Sequence, residues 1–289
     1  MLAHLKRQAW MQPLMPHLRK IRRNFDTLRE LPKTLPEERA SKAWLARNCK
    51  QAKEIEDAFI QVRHQGGYFS GWALSRSALR SFCGCLLSSQ QNPSIVEFGS
   101  GQSTLFWAFL LRSLPLRLNS FEHHPDWYEQ LNRRIKGTPG LTYHLRPLKQ
   151  LNRSEKELLW QTPASAHQLF LESGVPVPAA QNAETRLIDC FYDLDTATHF
   201  EADSIDGMIL DGPNGSGRSI SFPLLFPFLK PTAWILIDDF DHYPFLAELS
   251  QLFAYDVLHE HLGKGNRWSL LRLKGRLTAF GTSRDSTAS

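Results

Sequence analysis

Residues 94–104, Ser-Ile-Val-Glu-Phe-Gly-Ser-Gly-Gln-Ser-Thr, constrain the fold more than any other stretch of this chain. Ser94 to Phe98 has the β-branched and apolar character of a buried strand. Gly99 and Gly101 let the backbone turn sharply and approach a ligand without interference from a Cβ. Helix-compatible sequence resumes at once, so the amides that open the helix face whatever the turn holds. A strand, a glycine turn and a helix in this order require the strand to be interior and the ligand to lie beyond its carboxyl end.

Two cofactor classes use such a turn. A dinucleotide site reads G-x-G-x-x-G, with the third glycine allowing close helix–strand packing; here that position is Thr104. Glu97 instead stands two residues before Gly99, and the resulting E-x-G-x-G resembles the first motif of class I S-adenosylmethionine-dependent methyltransferases. A second strand, Leu116 to Glu122, ends in a carboxylate 21 positions after Gly101. The run Glu122-His-His-Pro-Asp-Trp-Tyr-Glu is similar to that family's strand-to-helix junction, with Pro125 opening the helix. The resemblance implies S-adenosylmethionine as cofactor. Glu97, Gly99, Gly101 and Ser103 would line its methionine end and Glu122 its ribose, with Phe98, Ser100 and His123 also at the cofactor.

Alternation of strand and helix continues, with a strand at 94–98, helix 103–112, strand 116–122, helix 125–135 and strand 141–147. Right-handed crossovers make these strands parallel. Residues 204–211 and 233–238 read as the fourth and fifth strands, each a nearly continuous apolar run ending in aspartate. Residues 255–262 and 267–273 are two further β-like runs joined by a glycine-rich turn with no helix between them, so they must pair antiparallel. The expected fold is α/β: a Rossmann-like, seven-stranded, mostly parallel sheet with a C-terminal antiparallel hairpin, preceded by N-terminal helices. Class I methyltransferases have that closing hairpin, and dinucleotide-binding domains normally lack it.

Residues 1–33 read as a basic arm and 34–92 as a helical segment. Thr34 and Glu37 suggest a capping box. Ala52, Ile55, Phe59 and Val62 form an apolar stripe, and a further helix is expected over about 71–90. The methyltransferase-like domain spans 93–275, and residues 276–289 read as a disordered tail. Segment 148–203 is too long for one crossover. It is read as an insertion, with a helix over 151–160 and a loop at Ser173-Gly-Val-Pro-Val-Pro.

The strand tips carry the candidate chemistry. Asp211 opens Asp-Gly-Pro-Asn-Gly-Ser-Gly-Arg218, and Asp238-Asp239 is followed by Phe-Asp241-His242. One aspartate after the fourth strand and an acidic pair after the fifth are similar to the cation-dependent small-molecule O-methyltransferases, of the catechol O-methyltransferase type. In that group Asp and Asp-Asn bind a divalent metal; here Asp239 stands in place of the Asn. The resemblance implies Asp211, Asp238 and Asp239 as ligands of Mg²⁺ or Mn²⁺, an oxygen-rich set suited to hard cations. Metal-free base catalysis by Asp211, Asp239 or His242 is the competing reading. Asp239 or Asp241 could also cap a helix near Tyr243, and Arg218 could bind an anionic substrate or lie on the surface.

The four cysteines have neither zinc nor redox-motif spacing and read as small core thiols. Residues 1–30 hold seven basic and two acidic residues, the same net +5 as the whole chain, and the remainder is balanced at 27 against 27. A nucleic-acid enzyme would spread its basic residues across the substrate face, so a nucleic-acid partner is disfavoured. The basic arm, with its interleaved apolar residues, suits an anionic membrane surface or a protein partner. No membrane-spanning run or secretion signal is present, so cytoplasmic residence is expected. The expected activity is methyl transfer to a small-molecule or sugar hydroxyl. A nicotinamide-dependent oxidoreductase and a non-catalytic scaffold of the same fold are the alternatives.

Overall fold

Strand β1, Ser94–Phe98, is buried along its whole length, and its alternation sorts its side chains between two layers. Val96 and Phe98 join the large aromatic core on one face of the sheet, while Glu97 faces helix α3, Gln102–Leu110, on the other. The structure is a computed structural model that describes residues 36–69, 73–178, 181, 187–263 and 266–277. The chain divides into residues 1–44 and 45–289. In the smaller unit, residues 36–44 are helical, whereas Thr34 and the basic arm lie outside the described residues.

The larger unit holds a seven-stranded sheet. Its strands are β1, β2 (Arg117–Glu122), β3 (Leu141–Leu145), β7 (Ile205–Leu210), β8 (Leu229–Asp238), β9 (Phe253–Gly263) and β10 (Asn266–Arg276). They run in the order β3-β2-β1-β7-β8-β10-β9. The first five are mutually parallel, and β10 pairs antiparallel with both β8 and β9. The order reverses between β1 and β7, which places the carboxyl-end crevice at the glycine turn. Five parallel strands closed by an antiparallel pair is the Rossmann-like methyltransferase fold.

On one face lie α1 (Ala52–His64), α2 (Arg76–Ser89), α3 and α4 (Pro125–Ile135). Helix α1 buries Ile55, Ala58, Phe59 and Val62, the expected stripe, and Phe59 stacks on Phe106 of α3 at 4.4 Å. Helix α2 starts at Arg76 rather than near residue 71, because Ser75 is extended and its hydroxyl accepts the Ala78 N–H as an N-cap. The buried Arg80 then grips Glu56 through two hydrogen bonds, tying α2 to α1.

The insertion is richer than expected. Pro147 has no N–H to extend β3. The chain leaves that strand and forms β4, Leu148–Gln150, the centre of a small antiparallel sheet with β5 (Val175–Pro176) and β6 (Cys190–Tyr192). The loop expected at 173–178 therefore contributes a short strand. Helix α5, Arg153–Gln161, begins at an Asn152–Glu155 capping box, and α6, Ala166–Glu172, follows. Strand β8 starts four residues before the expected strand, pairing Leu229 with Ile205 ahead of an irregularity. Arg276, read as part of the tail, is the last residue of β10 and bonds Asp203 and the carbonyls of Phe226 and Leu229. Among the described residues, no helix is long and apolar enough to cross a membrane.

Candidate active site

The site is built on a close approach of two strand ends. Gly99 adopts φ +92, and a Cβ there would come within 2.5 Å of the Gly212 nitrogen and 2.7 Å of the Asp211 carbonyl carbon. The Phe98 carbonyl accepts the N–H groups of both Asp211 and Gly212, at 2.8 and 2.7 Å. Phe98 thus contributes its backbone to the turn, and its ring stacks on Phe121 in the core. Gly101 differs from Gly99: a Cβ there would meet nothing. It borders a cavity of about 220 Å³ that Ser100, Gln102, Trp127 and Gln130 also line.

Glu97 is fully buried. Its Oε2 accepts the hydroxyls of Thr104 and Ser120, both at 2.6 Å, and Thr104 Oγ1 accepts the Gly101 N–H at 3.1 Å. Thr104 therefore braces the turn where a dinucleotide site would carry its third glycine. Oε1 of Glu97 is buried with no hydrogen-bond partner among the described residues. Burial raises the Glu97 carboxyl to about 7, against the hydrogen bonds of Ser120, Thr104 and Ser103, which lower it. An ammonium group placed at Oε1 would restore the carboxylate, so this residue fits the amino end of S-adenosylmethionine.

Glu122 closes the adjacent strand tip. Its Oε1 accepts the His123 and His124 amides, each at 2.8 Å, and its Oε2 accepts Ser100 Oγ at 2.5 Å. Tyr143 bonds the same Ser100 hydroxyl at 2.7 Å, and Tyr128 stacks on Tyr143 at 4.6 Å. His123 Nδ1 is 3.3 Å from Glu122 Oε1. A carboxylate offers about four acceptor positions; Oε1 already accepts two amides and Oε2 one hydroxyl, so Oε2 keeps capacity for a ribose hydroxyl. The pairing Ser100–Glu122–Tyr143 was invisible in sequence, since its members come from the turn after β1, the end of β2 and the middle of β3.

Asp211 and Asp238 hydrogen-bond each other. Burial is the main cause raising both: Asp211 stands at about 6, with Asp239 raising it and the hydrogen bond to Asp238 lowering it, and Asp238 is held well above its ordinary value by burial and then by the charge of Asp211. Arg218 opposes this, but it neither lies on the surface nor is free to bind an anion. It is 5 % exposed, and its guanidinium donates to the carbonyls of Pro213 and Asp238, both at 2.9 Å, and to Asn214 Oδ1. Asp239 takes φ +49 and donates its N–H to the Arg267 carbonyl, while its carboxylate is half-exposed, 3.7 Å from the exposed His242. The expected helix begins at Phe245, after Pro244, with no side-chain cap. Asp239 and Asp241 therefore do not cap it, and Asp241 pairs with Arg267.

Among the described residues, no three His, Cys, Asp or Glu side chains form a group able to hold a metal ion. Asp211 and Asp238 are engaged with each other, and Asp239 belongs to the rim with His242. The donor set expected for Mg²⁺ or Mn²⁺ is thus not assembled.

A crevice bounded by an acidic β1 end, a glycine turn and a β2 carboxylate, on a sheet closed by an antiparallel pair, defines the S-adenosylmethionine-dependent methyltransferase class. The family model described as "Methyltransferase domain" matches residues 96–240, half of the chain, and the chain belongs to that family. This removes the oxidoreductase alternative, and the chain is an enzyme of the methyltransferase type. No curated protein matches. Solved structures it is similar to include a putative O-methyltransferase from Klebsiella pneumoniae (12% identity, 76% of this chain and 90% of that one, TM-score 0.42). A precorrin-6y C5,15-methyltransferase from Geobacter metallireducens shares 10% identity over 64% and 82%, with TM-score 0.35. The fibrillarin from Aeropyrum pernix, with natively bound S-adenosyl-L-methionine, shares 11% over 63% and 67%, with TM-score 0.36.

The two glycines should respond differently to alanine. Gly99→Ala combines a positive φ with a backbone clash and is expected to cost about 2–4 kcal/mol of stability. Gly101→Ala should leave denaturant unfolding unchanged yet weaken S-adenosylhomocysteine binding in calorimetry. Equal stability of the two variants would contradict the role given to the turn.

Glu97 binds a proton more tightly in the folded chain than in the unfolded one. Its contribution to stability is therefore fully present below about pH 4.5 and is lost as pH rises through about 7, a change of about 3 kcal/mol. Urea titrations at pH 5 and pH 7.5 should show a larger loss for the natural chain than for Glu97→Gln. Identical losses would show that Glu97 is not a buried, partly protonated acid.

Proposed function

We propose that the protein methylates a hydroxyl of a small molecule or sugar, with S-adenosylmethionine as methyl donor and Asp211 as the base that takes the hydroxyl proton. The observation that carries this reading is the Asp211–Asp238 pair at adjacent parallel strand tips, poised near neutral pH beside the cofactor turn. S-adenosylmethionine supplies an electrophilic methyl group on a cationic sulfur. The protein's share of an in-line displacement is alignment and removal of the acceptor proton. Arg218 offsets the charge of Asp211 and Asp238 only, and with Glu97 and Glu122 beside them the carboxylates outnumber it, so the crevice favours a positively charged donor over its neutral product.

Arg218 and Asp238 position Asp211. Asp238 holds the shared proton when Asp211 is ionised, and the guanidinium limits how far both are raised. The acceptor proton passes to Asp211 as the oxygen–carbon bond forms, and the carbon–sulfur bond breaks to leave S-adenosylhomocysteine.

Activity should be followed as S-adenosylhomocysteine formation across a panel of phenolic, sugar and aliphatic hydroxyl compounds. The rate with a responding acceptor should rise with pH through about 6, survive chelator, and fall by about 10²–10⁴ in Asp211→Asn. Loss of activity in chelator, restored by Mg²⁺ or Mn²⁺, would favour a metal-held acceptor instead. An undiminished Asp211→Asn rate would reject Asp211 as base.

The excess charge of residues 1–30 supports a second role, attachment of the enzyme to an anionic membrane or protein surface. Deleting these residues should leave S-adenosylhomocysteine affinity intact and abolish sedimentation with phosphatidylserine-containing vesicles, which for the full chain should weaken with salt. Unchanged vesicle binding after deletion would reject the attachment.

A further inference from the structure

Tyr192 is a residue of the insertion that reaches the strand tips. It ends β6, opposite Leu148 of β4. The insertion is anchored beneath it by Lys149, whose ammonium lies 4.0 Å over the Phe170 ring and 3.2 Å from Asp193. The Tyr192 ring is held on several sides. Phe191, Phe98 and His123 have ring centroids 5.4, 5.6 and 5.8 Å away, the last edge-on. Its position is therefore set by core packing, and the hydroxyl has little freedom to move.

That hydroxyl projects toward the meeting point of β1 and β7. A Cβ on Gly212 would lie 2.8 Å from it, the same distance as from the Gly99 Cα. Glu122 and Tyr143 are its electrostatic neighbours on one side, Asp211 and Arg218 on the other. Tyr192 is completely buried, and its Oη has no hydrogen-bond partner among the described residues. Leaving a buried hydroxyl unsatisfied is destabilising. Phenylalanine would fill the same space without that cost, so the hydroxyl calls for a partner that the described residues do not supply. Burial holds the phenol protonated, so it is available as a donor.

We propose that the Tyr192 hydroxyl is a cofactor contact supplied by the insertion, donating a hydrogen bond to the adenosyl portion of the cofactor between Glu122 and the Gly99–Gly212 junction. The inference rests on the S-adenosylmethionine reading and gives the insertion a part in it: the segment that lengthens this chain between β3 and β7 completes the cofactor site.

The test is Tyr192→Phe in the full chain, with two measurements. Thermal unfolding without cofactor should be unchanged or shifted upward, because an unsatisfied group has been removed. Calorimetric affinity for S-adenosylhomocysteine should fall about tenfold, the loss of one hydrogen bond. A lowered melting temperature would show that the hydroxyl serves the protein interior, and equal affinity in both chains would show that it does not touch the cofactor; either overturns the proposal. Failure of the natural chain to bind S-adenosylhomocysteine would instead remove the cofactor reading, and the proposal with it.

Discussion

The contact between the turn after β1 and the turn after β7 is the constraint on which the site depends. Two backbones meet there with no room for a Cβ on either side, at Gly99 and at Gly212. That meeting fixes the start of α3, the placement of Glu97 behind the turn and the exit of Asp211 from β7. Hydrogen bonds from one carbonyl, that of Phe98, to two successive amides lock the junction. The acidic side chains around it are largely desolvated. Burial is the first cause of the raised proton affinities of Glu97, Asp211 and Asp238.

The strands that build this junction were legible because they are buried on both faces. Apolar runs placed β1, β2 and β7 close to their observed bounds, while β8 begins four residues earlier than expected, and the lack of a helix between residues 255 and 273 was enough to foresee the antiparallel pair. Glycine turns and terminal carboxylates were legible for the same reason: their chemistry is local. Arg218 was not. Its partners are backbone carbonyls at Pro213 and Asp238, and no side-chain pattern announces a carbonyl acceptor. The insertion's strands were missed because two or three residues cannot display a period of two. Tyr192 went unnoticed with them, being one aromatic residue in an unremarkable stretch. Thr104 was read only as an absent glycine, while its role as a brace between Gly101 and Glu97 appears once the helix is in place.

The aspartates show how similar sequence patterns can serve different arrangements. A carboxylate after β7 and two after β8 suit a divalent cation on paper. In the fold, the left-handed backbone at Asp239 turns that residue outward toward His242. Asp211 and Asp238 remain as a hydrogen-bonded pair backed by a guanidinium. Burial raises the proton affinity of both acids, and the fixed guanidinium works against it.

The strand order β8-β10-β9 also governs when the enzyme can assemble. β10, residues 266–276, lies between β8 and β9, and Trp268 pairs with Asp238 itself. On a ribosome, the first five strands emerge and can associate while one side of β8 still offers unpaired amides and carbonyls. Only when β10 leaves the exit tunnel is that side covered and the Asp238 end of the crevice given its final shape. Until then the nascent sheet exposes an apolar edge of the kind that recruits chaperones or pairs with a neighbouring chain. The Asp238 end of the crevice is thus among the last parts of the fold to form.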